Sequence, residues 1–169
     1  MPRLHVCPLR MIDDVVAESG ARSMVTLINV GTPVTRPALI DSSRHLFIGM
    51  SDILAPAQGH VAPDVEHVEK LLTFVRAWDR ADPLLIHCWA GVSRSTAAAF
   101  ASACALRPER SEVEIARAIR TASPTATPNA RFVAVADDIL GRKGRMVDAV
   151  AAIGRGVDCF EGVPFALPV

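Results

Sequence analysis

A continuous apolar run, LLIH, follows Pro83 and leads straight into Cys88, and the uncharged, alanine-rich segment STAAAFASACAL comes a few residues later. An apolar run without alternation is the pattern of a parallel strand covered on both faces. Alanine favours helix, and its small side chain permits close packing against a sheet. Together they predict a buried strand, a tight turn and a buried helix, as in an α/β fold.

The rest of the chain alternates in the same way. A short apolar run at Leu4 to Val6 precedes a helix from Met11 to Ser19, stopped by Gly20, and then the strand MVTLINV from Met24 to Val30, which predicts a βαβ opening. Leu46 to Ile48 reads as another strand. Pro63 then starts a helix that places Val65, Val68, Leu71, Leu72 and Val75 on one face and ends near Trp78. After the alanine-rich helix, Ser111 and Glu114 form a capping box, and Pro124 closes the segment. Asn129 caps a helix burying Phe132, Val133, Ala136, Ile139 and Leu140 and ending at Gly141, and a last helix covers Met146 to Ile153. The tail beyond it carries no periodicity. The expected architecture is a central, mostly parallel sheet flanked by helices, with residues 1–169 as one domain, since 169 residues suffice for one core and are short for two.

Eighteen basic residues balance eighteen acidic ones, so nothing predicts a nucleic-acid or membrane surface. The N-terminal residues reach Asp13 and Asp14 before any sustained apolar run, which predicts a cytoplasmic protein without a signal segment. The four cysteines, 7, 88, 104 and 159, form no CxxC pair, which argues against structural zinc or a disulfide framework.

The chemistry is concentrated in HCWAGVSRS, His87 to Ser95, where five residues separate Cys88 from Arg94. Spacing alone does not single it out, because Cys104 and Arg110 are spaced identically. The intervening ALRPE, however, lacks glycine, contains a proline and follows a helix. Around Cys88 the setting differs: a buried strand, Gly91 able to take positive φ, and a helix beginning near Ser93. Such a loop, Trp89, Ala90, Gly91, Val92 and Ser93, turns its amides inward, and the helix start adds partial positive charge, so a tetrahedral dianion is bound. The planar fork of Arg94 adds two charge-assisted hydrogen bonds and favours the thiolate of Cys88, the nucleophilic form. Ser95 donates a hydrogen bond to the sulfur as it leaves, and His87 supports the loop.

HCWAGVSRS resembles the active-site signature of the protein tyrosine phosphatase superfamily, especially its small dual-specificity branch in a bacterial-type member. SPTATPNARF, Ser123 to Phe132, resembles the segment that follows that signature, and the resemblance covers roughly Val25 to Leu140. It implies phosphate removal from phosphotyrosine-type monoesters through a phosphocysteine intermediate, without cofactor or metal, and a phosphorylated protein or other phosphomonoester as partner. Position by position, Cys88 takes the nucleophile's place, Arg94 the arginine's and Ser95 the hydroxyl's. The family also needs an aspartic acid on an upstream loop. Asp52, in GMSDILAPAQG, follows a strand and precedes a long helix as that acid does, although no WPD tripeptide is present.

Plainer readings stand beside these. Asp52 could be a turn residue bonding its own backbone, and Asp64 favours its helix start. His60 and His67 read as solvent-facing, and Trp89 as packing beneath the loop instead of contacting substrate. Cys7, Cys104 and Cys159 read as space-filling, with a protective disulfide to Cys88 as an alternative. At the level of function, a phosphate-binding module without turnover, a phosphoinositide or small-molecule phosphatase, and a rhodanese-type sulfur transferase remain open.

Overall fold

The computed structural model describes residues 1–169. Five strands, β1 (Arg3–Pro8), β2 (Ser23–Ile28), β3 (His45–Gly49), β4 (Leu84–Cys88) and β5 (Phe165–Pro168), form one sheet in the order β3-β2-β4-β1-β5. The first four are parallel, and β5 runs antiparallel along β1. Six helices accompany them: α1 (Ile12–Ser19), α2 (Val65–Ala77), α3 (Arg94–Leu106), α4 (Glu112–Ala122), α5 (Ala130–Leu140) and α6 (Arg145–Ile153).

The expected α/β architecture is present, and the structure adds its wiring. The opening β1-α1-β2 unit does not pair β1 with β2, because β4 lies between them and bonds to both. The unassigned tail ends in β5, which covers the edge of β1. The strand expected to reach Val30 ends at Ile28, leaving Val30 68% exposed, and Val65, expected on the apolar face of its helix, is 47% exposed in the first turn of α2.

The sheet is covered on both faces, which explains the apolar runs. Alternate residues of β4 divide between two cores: Leu84 and Ile86 join the large cluster with α2 to α6, whereas Leu85 joins Val15, Val16 and Met24 around α1. Each fully buried Leu or Ile there contributes about 1.5–3 kcal/mol. Twelve of the thirteen residues of α3 are buried, in keeping with its alanines and the absence of charge after Arg94, and Phe100 is fully enclosed. Caps fix the helix ends. Gly20 and Gly141 close α1 and α5 in the left-handed conformation, and the Ser111–Glu114 box opens α4. Asp64 starts α2 as its N-cap, and His67, half-buried where solvent exposure was expected, completes that box by accepting the Asp64 N–H at Nδ1, 3.0 Å.

The strands' carboxyl ends therefore converge on one crevice, where β2 runs into Asn29, β3 into Met50 to Asp52, and β4 into Cys88. Crevices of this kind are where open α/β sheets bind ligands. No helix is long and apolar enough to cross a membrane.

Candidate active site

The turn from β4 to α3 is possible because Gly91 takes φ +69° and passes against β1. A Cβ there would lie 2.7 Å from Pro8 N and 2.8 Å from the Cys7 carbonyl carbon. Three segments hold the loop by its carbonyls. Leu9 N–H donates to Trp89 O (3.0 Å), Gly162 N–H to Ala90 O (2.8 Å), Thr127 N–H to Val92 O (2.9 Å) and Asn129 N–H to Ser93 O (3.2 Å). The amides are treated differently. Gly91 N–H reaches Cys88 Sγ at 3.3 Å, and the amides of Trp89, Ala90, Val92 and Ser93 donate to no protein group. The carbonyl dipoles are thus tied outward and the N–H donors left for an anion.

Cys88, 2% exposed, forms the floor of a cleft of about 500 Å³ that is also lined by Asn29, Asp52, Trp89 and Arg94. Its Sγ lies 3.1 Å from Ser95 Oγ. Arg94 is the first residue of α3 and is buried. Its Nη1 donates to Asn29 Oδ1 (2.6 Å) and Met50 O (2.8 Å), which fixes the guanidinium plane. Its buried Nε has no protein acceptor, and Nη2 makes no protein hydrogen bond. Two adjacent donors of a rigid fork are thereby available to one tetrahedral oxyanion.

Asp52 reaches the mouth of the same cleft. Its Oδ1 accepts from Ser93 Oγ (2.7 Å) and Asn129 Nδ2 (2.9 Å), while Oδ2 makes no hydrogen bond. It is therefore tied to the loop and to the start of α5, and does not close a turn on its own backbone. His87 lies beneath the loop, with Nε2 2.7 Å from Thr26 Oγ1 and Nδ1 3.2 Å from Cys88 O. Burial, aided by His45 and Arg94, pushes its pKa down to about 4 against the opposing Cys88 carbonyl, so the ring is neutral at pH 7.

The structure thus gathers Cys88, Arg94, Ser95, Asp52 and the loop in one place. Trp89 differs from its expected packing role: it is 54% exposed and lines the cleft. Cys159 is no space-filler either, being exposed on the cleft's edge. Cys7 and Cys104 are buried, and burial first, with the neighbouring Cys88 for the former, pushes each thiol up to about 12. Cys104 lies inside α3, so its spacing to Arg110 encloses no cradle. Two further residues complete the site. Asn29 was missed, its only signal being a polar side chain just past a strand's carboxyl end. Asn129 was read as a cap, and its Oδ1 does accept Phe132 N–H at 2.9 Å, but the same amide's Nδ2 also holds Asp52. No three His, Cys, Asp or Glu side chains are grouped to hold a metal ion.

At the level of sequence, no family model matches the chain and no curated protein does. Solved structures do. Human DUSP28 is 18% identical, with a TM-score of 0.62 over 88% of this chain and 94% of its own. DUSP15 is 17% identical, with a TM-score of 0.64 over 89% of each. The human tyrosine phosphatase-like serine/threonine/tyrosine-interacting protein is 14% identical, with a TM-score of 0.62 over 83% of this chain and 92% of that one. At such identities the likeness is one of fold.

Proposed function

We propose that this chain, which has the fold of the dual-specificity and protein tyrosine phosphatases, hydrolyses phosphomonoesters through a phosphocysteine intermediate, with phosphotyrosine in a protein as the leading substrate. The reading rests chiefly on one observation: four loop amides and the Nε and Nη2 of Arg94 make no protein hydrogen bond around the sulfur of Cys88. That arrangement suits three phosphate oxygens with a nucleophile beneath phosphorus.

In the first step the Cys88 thiolate attacks phosphorus, the bond to the leaving oxygen breaks, and Asp52, protonated at Oδ2, gives that oxygen its proton. Ser93 and Asn129 hold Oδ1 meanwhile. In the second step Asp52 accepts a proton from water as the water oxygen attacks phosphorus. The S–P bond breaks and the sulfur departs as thiolate, stabilised by Gly91 N–H and the Ser95 hydroxyl. The neutral His87 takes no part in proton transfer and supports the loop from below. Phosphoserine and phosphothreonine are further candidate substrates.

A module that binds phosphate without turnover would share this cradle. Cys88→Ser separates the readings. It should abolish phosphate release from an aryl phosphate while inorganic oxyanions such as tungstate still bind, because the amides and Arg94 remain. Substantial activity in the serine variant would overturn the covalent mechanism, and an inactive wild type that binds tungstate would favour the binding module. Thiosulfate sulfurtransferase activity, measured in parallel, would instead favour sulfur transfer.

A further inference from the structure

The two edges of the sheet are finished differently. β5 closes one edge with a four-residue strand that carries Pro168, and a proline blunts a strand against further pairing. β3 closes the other and bonds only β2. Its sequence, HLFIG, contains no proline, lysine or acidic residue, the devices that guard an open edge. Met50 N–H, just past β3, donates to Ile28 O at 2.9 Å, and alternate residues of a parallel ladder serve the same neighbour. Leu46 and Ile48 therefore bond β2, and the backbone of His45, Phe47 and Gly49 faces outward. His45 N–H is taken by Ser42 O. The N–H and C=O of Phe47, the His45 carbonyl and the Gly49 N–H have no protein partner.

A groove of about 510 Å³ runs beside this edge, between β3 and α2. Leu46 and Phe74 supply its apolar lining, and Glu66, Glu69 and Lys70 its charge. Lys70 pairs with Glu66 at 2.6 Å, whereas Glu69 is exposed and has no ion pair, so the groove is net negative. Phe47, on the opposite face of β3, is 44% exposed. An extended peptide bonded to the free backbone would send alternate side chains to the acidic groove and to Phe47. Basic residues suit the first and apolar ones the second. A second copy of this chain suits the edge less well, because antiparallel pairing about a two-fold axis would set two acidic grooves side by side. The edge also points at the cleft, since β3 runs into Asp52. A strand added outside β3 lies three strand spacings from β4, about 14 Å, which about five extended residues span.

We propose that the outer edge of β3 docks the phosphoprotein substrate: a basic, extended segment about five residues from the phosphotyrosine adds to the sheet as a further strand, with a lysine or arginine over Glu69. The role rests on the phosphatase reading above and deepens it by naming what holds the substrate outside the cleft.

The test uses phosphotyrosine peptides carrying the segment Lys-Val-Lys-Val-Lys before or after a spacer of about five residues. In the comparison peptides proline replaces both valines, which keeps the charge but abolishes strand pairing. In wild type the valine segment, in at least one of the two orders, should lower KM about 10-fold relative to its proline counterpart with kcat unchanged, the scale of two main-chain hydrogen bonds and an ion pair. Glu69→Lys, at an exposed helix position, should erase most of that advantage and leave turnover of phenyl phosphate as in wild type. Phe47→Pro removes the outward N–H but no bond to β2, and should erase the advantage as well. Equal KM for valine and proline peptides in both orders, or an advantage undiminished in Glu69→Lys, would overturn the docking edge while leaving the phosphatase intact. A wild-type dimer in sedimentation that Phe47→Pro dissociates would give the edge to a second copy and overturn it too. Absence of turnover by wild type would overturn the phosphatase reading. Fluorescence anisotropy of the labelled, unphosphorylated valine and proline peptides would still decide the docking, with equal affinities overturning it.

Discussion

Asn129 Nδ2 lies 2.9 Å from Asp52 Oδ1, joining the residue that opens α5 to a loop that precedes it by 77 positions. The same side chain caps α5 through Oδ1, 2.9 Å from Phe132 N, and donates to Ile53 O at 3.2 Å. The amide offers its oxygen to the helix and, on a separate atom, two N–H donors, one for the carboxylate and one for the Ile53 carbonyl. Asn129 is thus placed to orient the acid while opening a core helix. Asn129→Ser separates the two roles, because serine caps as well but lacks the amide donors. Its thermal stability should stay close to wild type, while kcat on a phosphotyrosine peptide should fall about 10-fold with KM little changed. An unaltered kcat would make Asn129 a cap alone.

Asp52→Asn should lower kcat about 100-fold for phosphotyrosine, the scale of general-acid catalysis, and less for aryl phosphates with acidic leaving groups. Since the acid must be protonated to act, wild-type kcat should fall as pH rises, and that falling limb should flatten in the variant. Asp64→Asn is the control. Asparagine also caps, so α2 should keep its start and the pH–rate profile its shape. Loss of the limb in Asp64→Asn alone would assign the chemistry to the wrong carboxylate.

Gly91→Ala tests the loop's geometry. The substitution places a Cβ 2.7 Å from Pro8 N at φ +69°, and the neighbouring atoms are backbone that cannot rotate away. A loss of about 2–4 kcal/mol in denaturant unfolding is expected, with weakened tungstate binding. Gly141→Ala, at φ +64° with nothing within 4 Å, supplies the comparison and should cost only about 1 kcal/mol. Equal costs at the two positions would mean that conformation, and not the close approach to β1, makes Gly91 necessary.

These sites differ in how openly the sequence displayed them. β4, the phosphate loop and α3 were legible because every local signal agreed: an unbroken apolar run, a glycine where the chain must turn, and a helix too rich in alanine to face water. Caps at Gly20, Ser111 and Asn129 were legible for the same reason. Long-range pairing was not. β4 separates β1 from β2 although it follows them by more than fifty residues, and no local pattern records that insertion. β5 is a four-residue strand containing Pro168 and owes its conformation to the edge of β1. Asn29 sits at the end of the expected strand Met24 to Val30 and Cys159 in a tail without periodicity, so only the folded chain brings them to the cleft.

The last prediction concerns pH and stability. His87 is wholly buried, and its pKa falls from an ordinary 6.5 to about 4, first because burial disfavours the charged ring and then because His45 and Arg94 repel it, against an opposing hydrogen bond to the Cys88 carbonyl. Between these values the unfolded chain binds a proton at this position and the native protein does not, so unfolding gains as pH drops. The stability tied to the neutral ring is therefore complete above about pH 6.5 and is lost progressively as pH falls towards 4, by about 3 kcal/mol. His87→Gln removes the titration but also the ring's fit against Thr26, so it should be the less stable protein at pH 7. The informative quantity is the difference between the two unfolding free energies. It should shrink by about 3 kcal/mol between pH 7 and pH 4, because wild type loses a term that the variant never had. His5 and His67, whose pKa values are also lowered chiefly by burial, add their own slope to both proteins and cancel in that difference. A gap that stayed constant across this range would mean that the ring titrates alike in the folded and unfolded chain, and His87 would then not be the neutral support on which the phosphate loop rests.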